Sequence, residues 1–495
     1  MIKRLNGTSP QGFNLNLSNH LGVIHFVGIG GIGMSGIAEI LLSLNHQISG
    51  SDLSENANVK RLRAKGIAIS IGHAADHLGQ ADVVVVSSAV RADNPEVVAA
   101  RQRRIPVVTR ADMLAELMRF ASGIAIGGTH GKTTTTSLVG QLLEVGGLDP
   151  TVINGGIVHA YGTNVRLGHS QWMVVESDES DGSFTRLPAH IVVVTNIDPE
   201  HLEHYGSFDA LKDSFRRFIS NIPFYGFAVV CADHPIAAAL ASEIHDRRVL
   251  TYGIDQPADV TASAIAATAD GLRFDASFGG HSRRALTLPD LLLPMHGRHN
   301  VLNALAAMTV ANELGIAPEA IARALQQFQG VNRRFTKVAT VAGATIIDDY
   351  AHHPVEIAAV LAAARESCAA SGQTGAGAQA RVIAVFQPHR YSRVANLLPE
   401  FASCFGDADR VLVSDIYSAG ETPLDGISQE VLLAQIAAQH NGQVQGFQTP
   451  EQLGQLLRGT LNPGDVVVCM GAGSITNWAH QLPELLTHAT AEQAA

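Results

Sequence analysis

Residues Ile124-Ala125-Ile126 run directly into Gly127-Gly128-Thr129-His130-Gly131-Lys132-Thr133-Thr134, and from Thr134 to Leu143 the apolar spacing suits a helix. A glycine-rich turn between a strand and a helix lets successive backbone N–H groups point at phosphate oxygens, and the helix N-terminus adds a favourable dipole. In such a turn the lysine, here Lys132, reaches the β- and γ-phosphates, and the Thr133 hydroxyl ligates Mg²⁺. The strict pattern asks for glycine at position 126, where this chain has Ile126, so the turn is a variant phosphate loop.

Working outward, short β-branched runs alternate with helix-like stretches. Strands are expected at Val23–Val27, Val83–Val86, Trp172–Val175, Ile191–Thr195, Ala228–Val230, Thr345–Ile347, Val382–Phe386, Val411–Ser414 and Val466–Met470. Most are continuously apolar, as strands covered on both faces of a parallel sheet are. The fold class is therefore α/β, with several doubly wound sheets. Boundaries are expected near residues 121 and 330, giving domains 1–121, 122–330 and 331–495. Residues 369–380 are small and polar and read as a surface loop, and residues 255–290 as a small antiparallel excursion.

Other strands also end in polar residues. The run Trp172–Val175 passes into Glu176-Ser177-Asp178-Glu179-Ser180-Asp181, where Glu176 is the expected Mg²⁺ ligand; a solvated acidic loop is the alternative. The next run passes into Asn196-Ile197-Asp198-Pro199-Glu200-His201. His201 is a candidate second-metal ligand for Mg²⁺ or Mn²⁺, although with 22 histidines an ordinary surface or core role competes. At the N-terminus Gly28-Ile29-Gly30-Gly31-Ile32-Gly33 matches GxGxxG, with Asp52 standing 24 positions after Gly28. That turn is specific for a diphosphate at a helix N-terminus and says little about which one; taken alone it would suit a nicotinamide oxidoreductase. Three further ends carry Asp348-Asp349-Tyr350, Gln387-Pro388-His389-Arg390-Tyr391-Ser392-Arg393 and Gly471-Ala472-Gly473-Ser474. These would gather at the carboxyl edge of one sheet, with Arg390 and Arg393 able to fork onto a carboxylate.

The 495 residues are 46% hydrophobic and 16% charged, which suits about three domains with buried cores. The net charge of −11 speaks against a nucleic-acid partner. Residues 1–121 hold 12 Lys and Arg against 9 Asp and Glu, and the remainder 22 against 36, so the first part is the mildly basic one. No apolar run approaches the ~18 residues of a membrane span, and no secretory core follows Lys3 and Arg4. Cys231, Cys368, Cys404 and Cys469 form no CxxC pair. A cytoplasmic protein without membrane insertion is expected. The oligomeric state stays open, with a homodimer among the assemblies allowed.

GTHGKTT at 128–134, ESDESDGSF at 176–184, TNIDPEH at 195–201, GRHNVLNA at 297–304, DDYAHHP at 348–354 and QPHRYSR at 387–393 resemble, in this order, the motifs of the Mur ligase family. The resemblance implies a Rossmann-like UDP-binding domain, a central ATPase domain with a mostly parallel sheet, and a Rossmann-like C-terminal domain that binds an amino acid. It implies an ADP-forming ligase that joins the lactyl carboxylate of UDP-N-acetylmuramate to L-alanine through an acyl phosphate. ATP and Mg²⁺ (or Mn²⁺) are the implied cofactors. Carried over residue by residue, Gly28, Gly30, Gly31, Gly33, Asp52 and Ser88 fall on the UDP-sugar side. Gly128, Thr129, His130, Gly131, Lys132, Thr133, Thr134, Asn300, Arg334 and Asp349 fall on ATP; for Asn300 a plain helix N-cap is the alternative. Thr133, Glu176 and His201 fall on the metal. His389, Arg390 and Arg393 fall on the amino acid, with Lys132, Glu176, His201, His389 and Arg390 as the catalytic set. Some relatives carry a carbamylated lysine after the histidine, and Lys212 is the lysine nearby.

Overall fold

The computed structural model describes residues 22–87, 89–370 and 380–487. Ser88 and residues 371–379 of the expected surface loop lie outside the described residues, as do both chain ends.

The first sheet is wholly parallel, in the order Ala68–Ile71, Gln47–Asp52, Val23–Val27, Ala81–Val86, Val107–Thr109. Its central strand is buried, and helix Ile32–Ser43 covers one face with Met34, Ile37, Ala38, Ile40 and Leu41. Gly31 stands at the N-cap of that helix, so the turn Gly28–Gly33 opens directly on its first N–H groups.

In the second sheet the strand Ser122–Gly127 lies between Trp172–Glu176 and Ile191–Val194, parallel to both. Phe227–Cys231 and Arg248–Gly253 continue it on one side, and Thr151–Val158 with antiparallel Thr163–Arg166 on the other. The register pairs Gly127 with Val194 and Ile126 with Glu176. Three polar strand ends thus reach one edge together. Strand Ile191–Val194 stops one residue short of expectation: Thr195 N–H still donates to the Gly127 carbonyl, while its hydroxyl reaches the His130 carbonyl. The excursion expected at 255–290 is built from Val260–Thr268, Gly271–Phe278 and Leu286–Leu293; a two-residue connection between the first two permits only an antiparallel pair.

The third sheet runs Thr336–Val341, Ala344–Asp349, Val466–Met470, Val382–Phe386, Arg410–Val413, Gln443–Gly446, with only the first strand antiparallel. Asp349 and Phe386 both pair with Met470, so their following loops leave from one edge. Contacts divide the chain into two compact units, one of Met1–Thr261, Ser277–Thr287 and Asn303–Leu325, the other of Ala262–Ala276, Leu288–Leu302 and Gln326–Ala495. Among the described residues no helix is long and apolar enough to cross a membrane. All four cysteines are buried and free.

Helix Phe208–Ser220 shows what holds the site from behind. Ser207 caps it, accepting the Ala210 N–H, and Leu211, Phe215, Phe218 and Ile219 form its buried stripe. The rings of Phe215 and Phe218 each lie 5.0 Å from that of Phe184, and a Cβ on Gly127 would meet Phe218 at 3.0 Å. Phe215→Ala is expected to cost about 3–5 kcal/mol of stability. Chemical denaturation followed by far-UV circular dichroism should show the first unfolding transition at lower denaturant.

Candidate active site

Gly128 and Gly131 have φ of +131° and +81°, conformations that L side chains rarely adopt. A Cβ at Gly128 would collide with Thr195, and one at Gly131 would come within 2.6 Å of Asn303 Oδ1. The loop between them is held by the strand end that follows Ile191–Val194. Asn196 accepts the Thr129 N–H on its carbonyl and the His130 N–H on its side chain, at 3.1 and 2.6 Å, and Asp198 N–H donates to Thr129 Oγ1 at 2.8 Å. Gly131 caps the helix Lys132–Val145 without a side-chain cap, which leaves the first turn's N–H groups open to a ligand.

Lys132 Nζ donates to the carbonyls of Gly128 and Thr129 at 2.6 and 3.0 Å and pairs with Glu179 at 2.8 Å. Burial penalises the ammonium, and the carboxylates of Glu179, Glu176 and Asp178 together outweigh this, holding the lysine above its ordinary range. Thr133 Oγ1 donates to Glu176 Oε1 at 3.1 Å, while Glu176 Oε2 accepts the Gly155 N–H at 2.6 Å. His201 Nε2 lies 3.9 Å from Glu179 and 3.7 Å from Glu200, and one ligand atom from each of these three fits within 4.8 Å of the others. The expected metal set therefore divides: Thr133 with Glu176, and His201 with Glu179 and Glu200. His201 has φ +57°, a left-handed position for a non-glycine residue, where local strain marks a place the surroundings over-determine. Lys212 lies on helix Phe208–Ser220 with its ammonium on Asp209 at 2.6 Å.

In the N-terminal turn, Gly28 has φ +79°, and a Cβ at Gly30 would stand 2.5 Å from Asn56 Nδ2. Asp52 Oδ2 accepts the Gly30 N–H at 2.8 Å, and Asp52 Oδ1 accepts that of Ser54. Gly31 N–H donates to the Gly28 carbonyl, and Gly33 abuts Arg110. Asp52 thus braces the turn itself.

At the third sheet's edge Asp349 is buried and accepts the N–H groups of Phe335 and Ala351, both at 2.7 Å. Arg333 and Arg334 hold their guanidinium groups 4.8 and 5.3 Å from the Tyr350 ring centroid. Asn300 sits inside the first turn of helix Arg298–Glu313, donating from Nδ2 to the His296 carbonyl at 2.8 Å, so it is not the N-cap. His389 stacks on Tyr417 at 5.5 Å and 12°, with His352 edge-on at 6.0 Å. Burial, and then the charges of His352, Arg393 and Arg390, push His389 down to about 4, so its ring is neutral at pH 7. Arg390 has φ +70°, and its N–H donates to the Tyr417 carbonyl at 2.8 Å.

Three family descriptions match consecutive parts of the chain: the Mur ligase family catalytic domain over residues 23–122, the Mur ligase middle domain over 126–311, and the Mur ligase glutamate ligase domain over 333–473. The UDP-N-acetylmuramate–L-alanine ligase of Methylobacterium sp. (strain 4-46) is 55% identical over 97% of this chain and 100% of that one. The chain belongs to the Mur ligase family. The same-named ligase of Rhodopseudomonas palustris is 56% identical over 95% of this chain and 98% of its own. The crystal structure of the UDP-N-acetylmuramate–alanine ligase from Thermotoga maritima superposes with a TM-score of 0.77, at 29% identity, over 95% of this chain and 100% of that one. The chain thus has the three-domain α/β fold of the Mur ligases, with mostly parallel sheets.

Within this Mur ligase site, several contributors escaped the sequence reading. Glu179 was visible in ESDESD, but nothing in that run says which carboxylate turns toward the lysine. Glu200 stood in the quoted TNIDPEH segment. Asn196 acts through loop geometry, and Tyr417 comes from a connection after Arg410–Val413 with no motif of its own.

Burial raises Asp349 from 3.8 to about 6, against the pull of Arg334 and two backbone N–H groups. A carboxyl raised on folding binds more protons folded than unfolded between those values, so its contribution to stability falls as pH rises from about 4 to about 6. Relative to Asp349→Asn, the wild type should therefore gain thermal stability as pH is lowered from 7 to 4. Paired Tm measurements across that range check the sign.

Proposed function

We propose that this Mur ligase joins the lactyl carboxylate of UDP-N-acetylmuramate to the amine of L-alanine, with cleavage of ATP to ADP and phosphate, in the cytoplasmic synthesis of peptidoglycan precursors. The observation that carries this reading is the Gly127–Lys132 turn, flanked in register by Glu176 and the Thr195–Asn196 strand end and braced by Glu179. The 55% and 56% identity to ligases named for those substrates supports the substrate pair. We assign the UDP-sugar to residues 1–121, ATP to 122–330 and the amino acid to 331–495.

The donors fit a hard divalent cation. The oxygens of Thr133 and Glu176, together with Glu179, Glu200 and the imidazole of His201, would hold Mg²⁺ or Mn²⁺. Such an ion, when bound, neutralises charge on the transferring phosphoryl group.

The turn from Gly128 to Thr134 would bind the phosphates through backbone N–H groups, with Lys132 at the terminal one. Asn300, Arg334 and Asp349 would lie on the nucleotide side, and Gly28, Gly30, Gly31 and Gly33 would cradle the UDP diphosphate. A carboxylate oxygen attacks the γ-phosphorus and the bond to ADP breaks, giving an acyl phosphate. The amine then attacks the acyl carbon and inorganic phosphate leaves. Both steps concentrate negative charge, so Lys132 contributes mainly electrostatic stabilisation. Arg390 and Arg393 would fork onto the alanine carboxylate, beside the neutral ring of His389.

Phosphate release from ATP should require both UDP-N-acetylmuramate and L-alanine, with no nicotinamide absorbance change. Lys132→Ala should lower kcat by roughly 10²–10³-fold while far-UV circular dichroism stays unchanged. Turnover near wild type in that variant, or phosphate release indifferent to the UDP-sugar, would overturn the reading.

A further inference from the structure

The turn Gly28–Gly33 rests on a buried carboxylate that the proposed chemistry leaves unused. The Ser51 carbonyl accepts the N–H groups of Gly28 and Ile29, at 2.8 and 3.0 Å. The Ser51 hydroxyl donates to Glu96 Oε2 at 2.7 Å, and the same oxygen lies 2.8 Å from His25 Nε2. The other oxygen, Oε1, faces His73 Nδ1 at 3.1 Å, the Ala74 N–H at 3.3 Å and His77 Nδ1 at 3.5 Å. His25, Ser51 and Glu96 are all fully buried.

Glu96 comes from the first turn of helix Pro95–Gln102, capped by Asn94. An acidic residue there ordinarily faces water at the positive end of the helix. This one points inward, beneath a ligand turn. Burial would raise its pKa, but hydrogen bonds from His25 and Ser51 outweigh that and hold the carboxyl below its ordinary value. A serine hydroxyl has one proton, so with Ser51 donating to Glu96, Ser51 Oγ can only accept from His73, whose single Nδ1–H is shared between Ser51 Oγ and Glu96 Oε1, each at 3.1 Å. The carboxylate therefore fixes the Ser51 rotamer and the His73 ring together. His73 follows strand Ala68–Ile71, and the intervening Gly72 N–H donates to the Asp52 carbonyl, next to the Asp52 side chain that braces Gly30.

We propose that Glu96 is a positioning residue for the UDP-sugar, setting through Ser51 the carbonyl that anchors Gly28 and Ile29, and through His73 the loop beside Asp52. The inference rests on reading the turn as the UDP-sugar site. A carboxylate with only a structural role would lower Tm and disturb all kinetic parameters together. A positioning role separates them.

The test uses the full chain as wild type, Glu96→Gln, Ser51→Ala and the double variant, with UDP-N-acetylmuramate binding by calorimetry and steady-state kinetics. Each single variant should raise Kd and KM for UDP-N-acetylmuramate, Glu96→Gln by ~10-fold or more, while kcat and the KM for ATP stay within about twofold of wild type. Because the Ser51 hydroxyl acts only through Glu96, the double variant should bind no more weakly than Glu96→Gln alone. Ser51→Ala deletes only a hydroxyl and keeps the test open should Glu96→Gln fail to fold. Wild-type-like binding in the folded single variants, additive losses in the double, or kcat falling with every KM would overturn the inference and leave the site reading intact. Failure of the wild type to bind the UDP-sugar would overturn both.

Discussion

Parallel pairing in register is the constraint on which the rest of this structure depends. Strands that are apolar along their whole length can be buried on both faces only if their connections cross back over the sheet as helices. That connectivity brings every strand of the parallel set in a sheet out at the same edge. Gly127, Val194 and Ile126–Glu176 are level in the second sheet, and Asp349, Phe386 and Met470 in the third. Residues tens of positions apart in sequence meet because the polar residue following each apolar run has nowhere else to go.

The edge then has to hold charge out of water. Lys132 and Glu179 are almost wholly covered, and removing one partner of such a pair typically costs about 3–5 kcal/mol because the other charge stays buried. Replacing a whole buried pair by well-packed apolar residues is, by contrast, often neutral or stabilising, so stability alone does not account for it. Its geometry suits another role, since the Gly128 and Thr129 carbonyls and the Glu179 carboxylate fix the ammonium at the mouth of the turn. An anionic ligand arriving there meets a cation already oriented.

The central strands were legible because their burial leaves a continuous apolar record; Val23–Val27, Val382–Phe386 and Val466–Met470 have the expected bounds. Edge strands were not. Ala68–Ile71, Thr336–Val341 and Gln443–Gly446 are only partly buried and carry a mixed pattern, so tertiary pairing rather than composition makes them strands. Ala344–Asp349 extends through two acidic residues, which sequence patterning reads as a loop. They stay in the strand because Thr476 donates to Asp348 at 2.6 Å and Asp349 accepts two backbone N–H groups. In the candidate site, the glycine-rich turn at Gly127–Thr134 and the polar strand ends beside it were legible from spacing. The division between Glu176 and Glu179 was not, because it follows from how the chain bends after the strand.

That bend has a recurring form. His201 and Arg390 each follow a strand-end motif, and each is a non-glycine residue with positive φ, at +57° and +70°. Such a conformation costs of order 1–3 kcal/mol and persists only where neighbouring contacts enforce it. At Arg390 the enforcing contacts are visible: its N–H donates to the Tyr417 carbonyl, and the Tyr417 N–H returns to that of Pro388, each at 2.8 Å. At His201 the N–H groups of His204 and Tyr205 both donate to its carbonyl. A glycine would relieve the backbone in either place but would carry no side chain. Holding an imidazole or a guanidinium at the point where the chain reverses over the sheet edge requires the strained residue itself, so the strain sits where side-chain chemistry and a tight reversal are needed at one position.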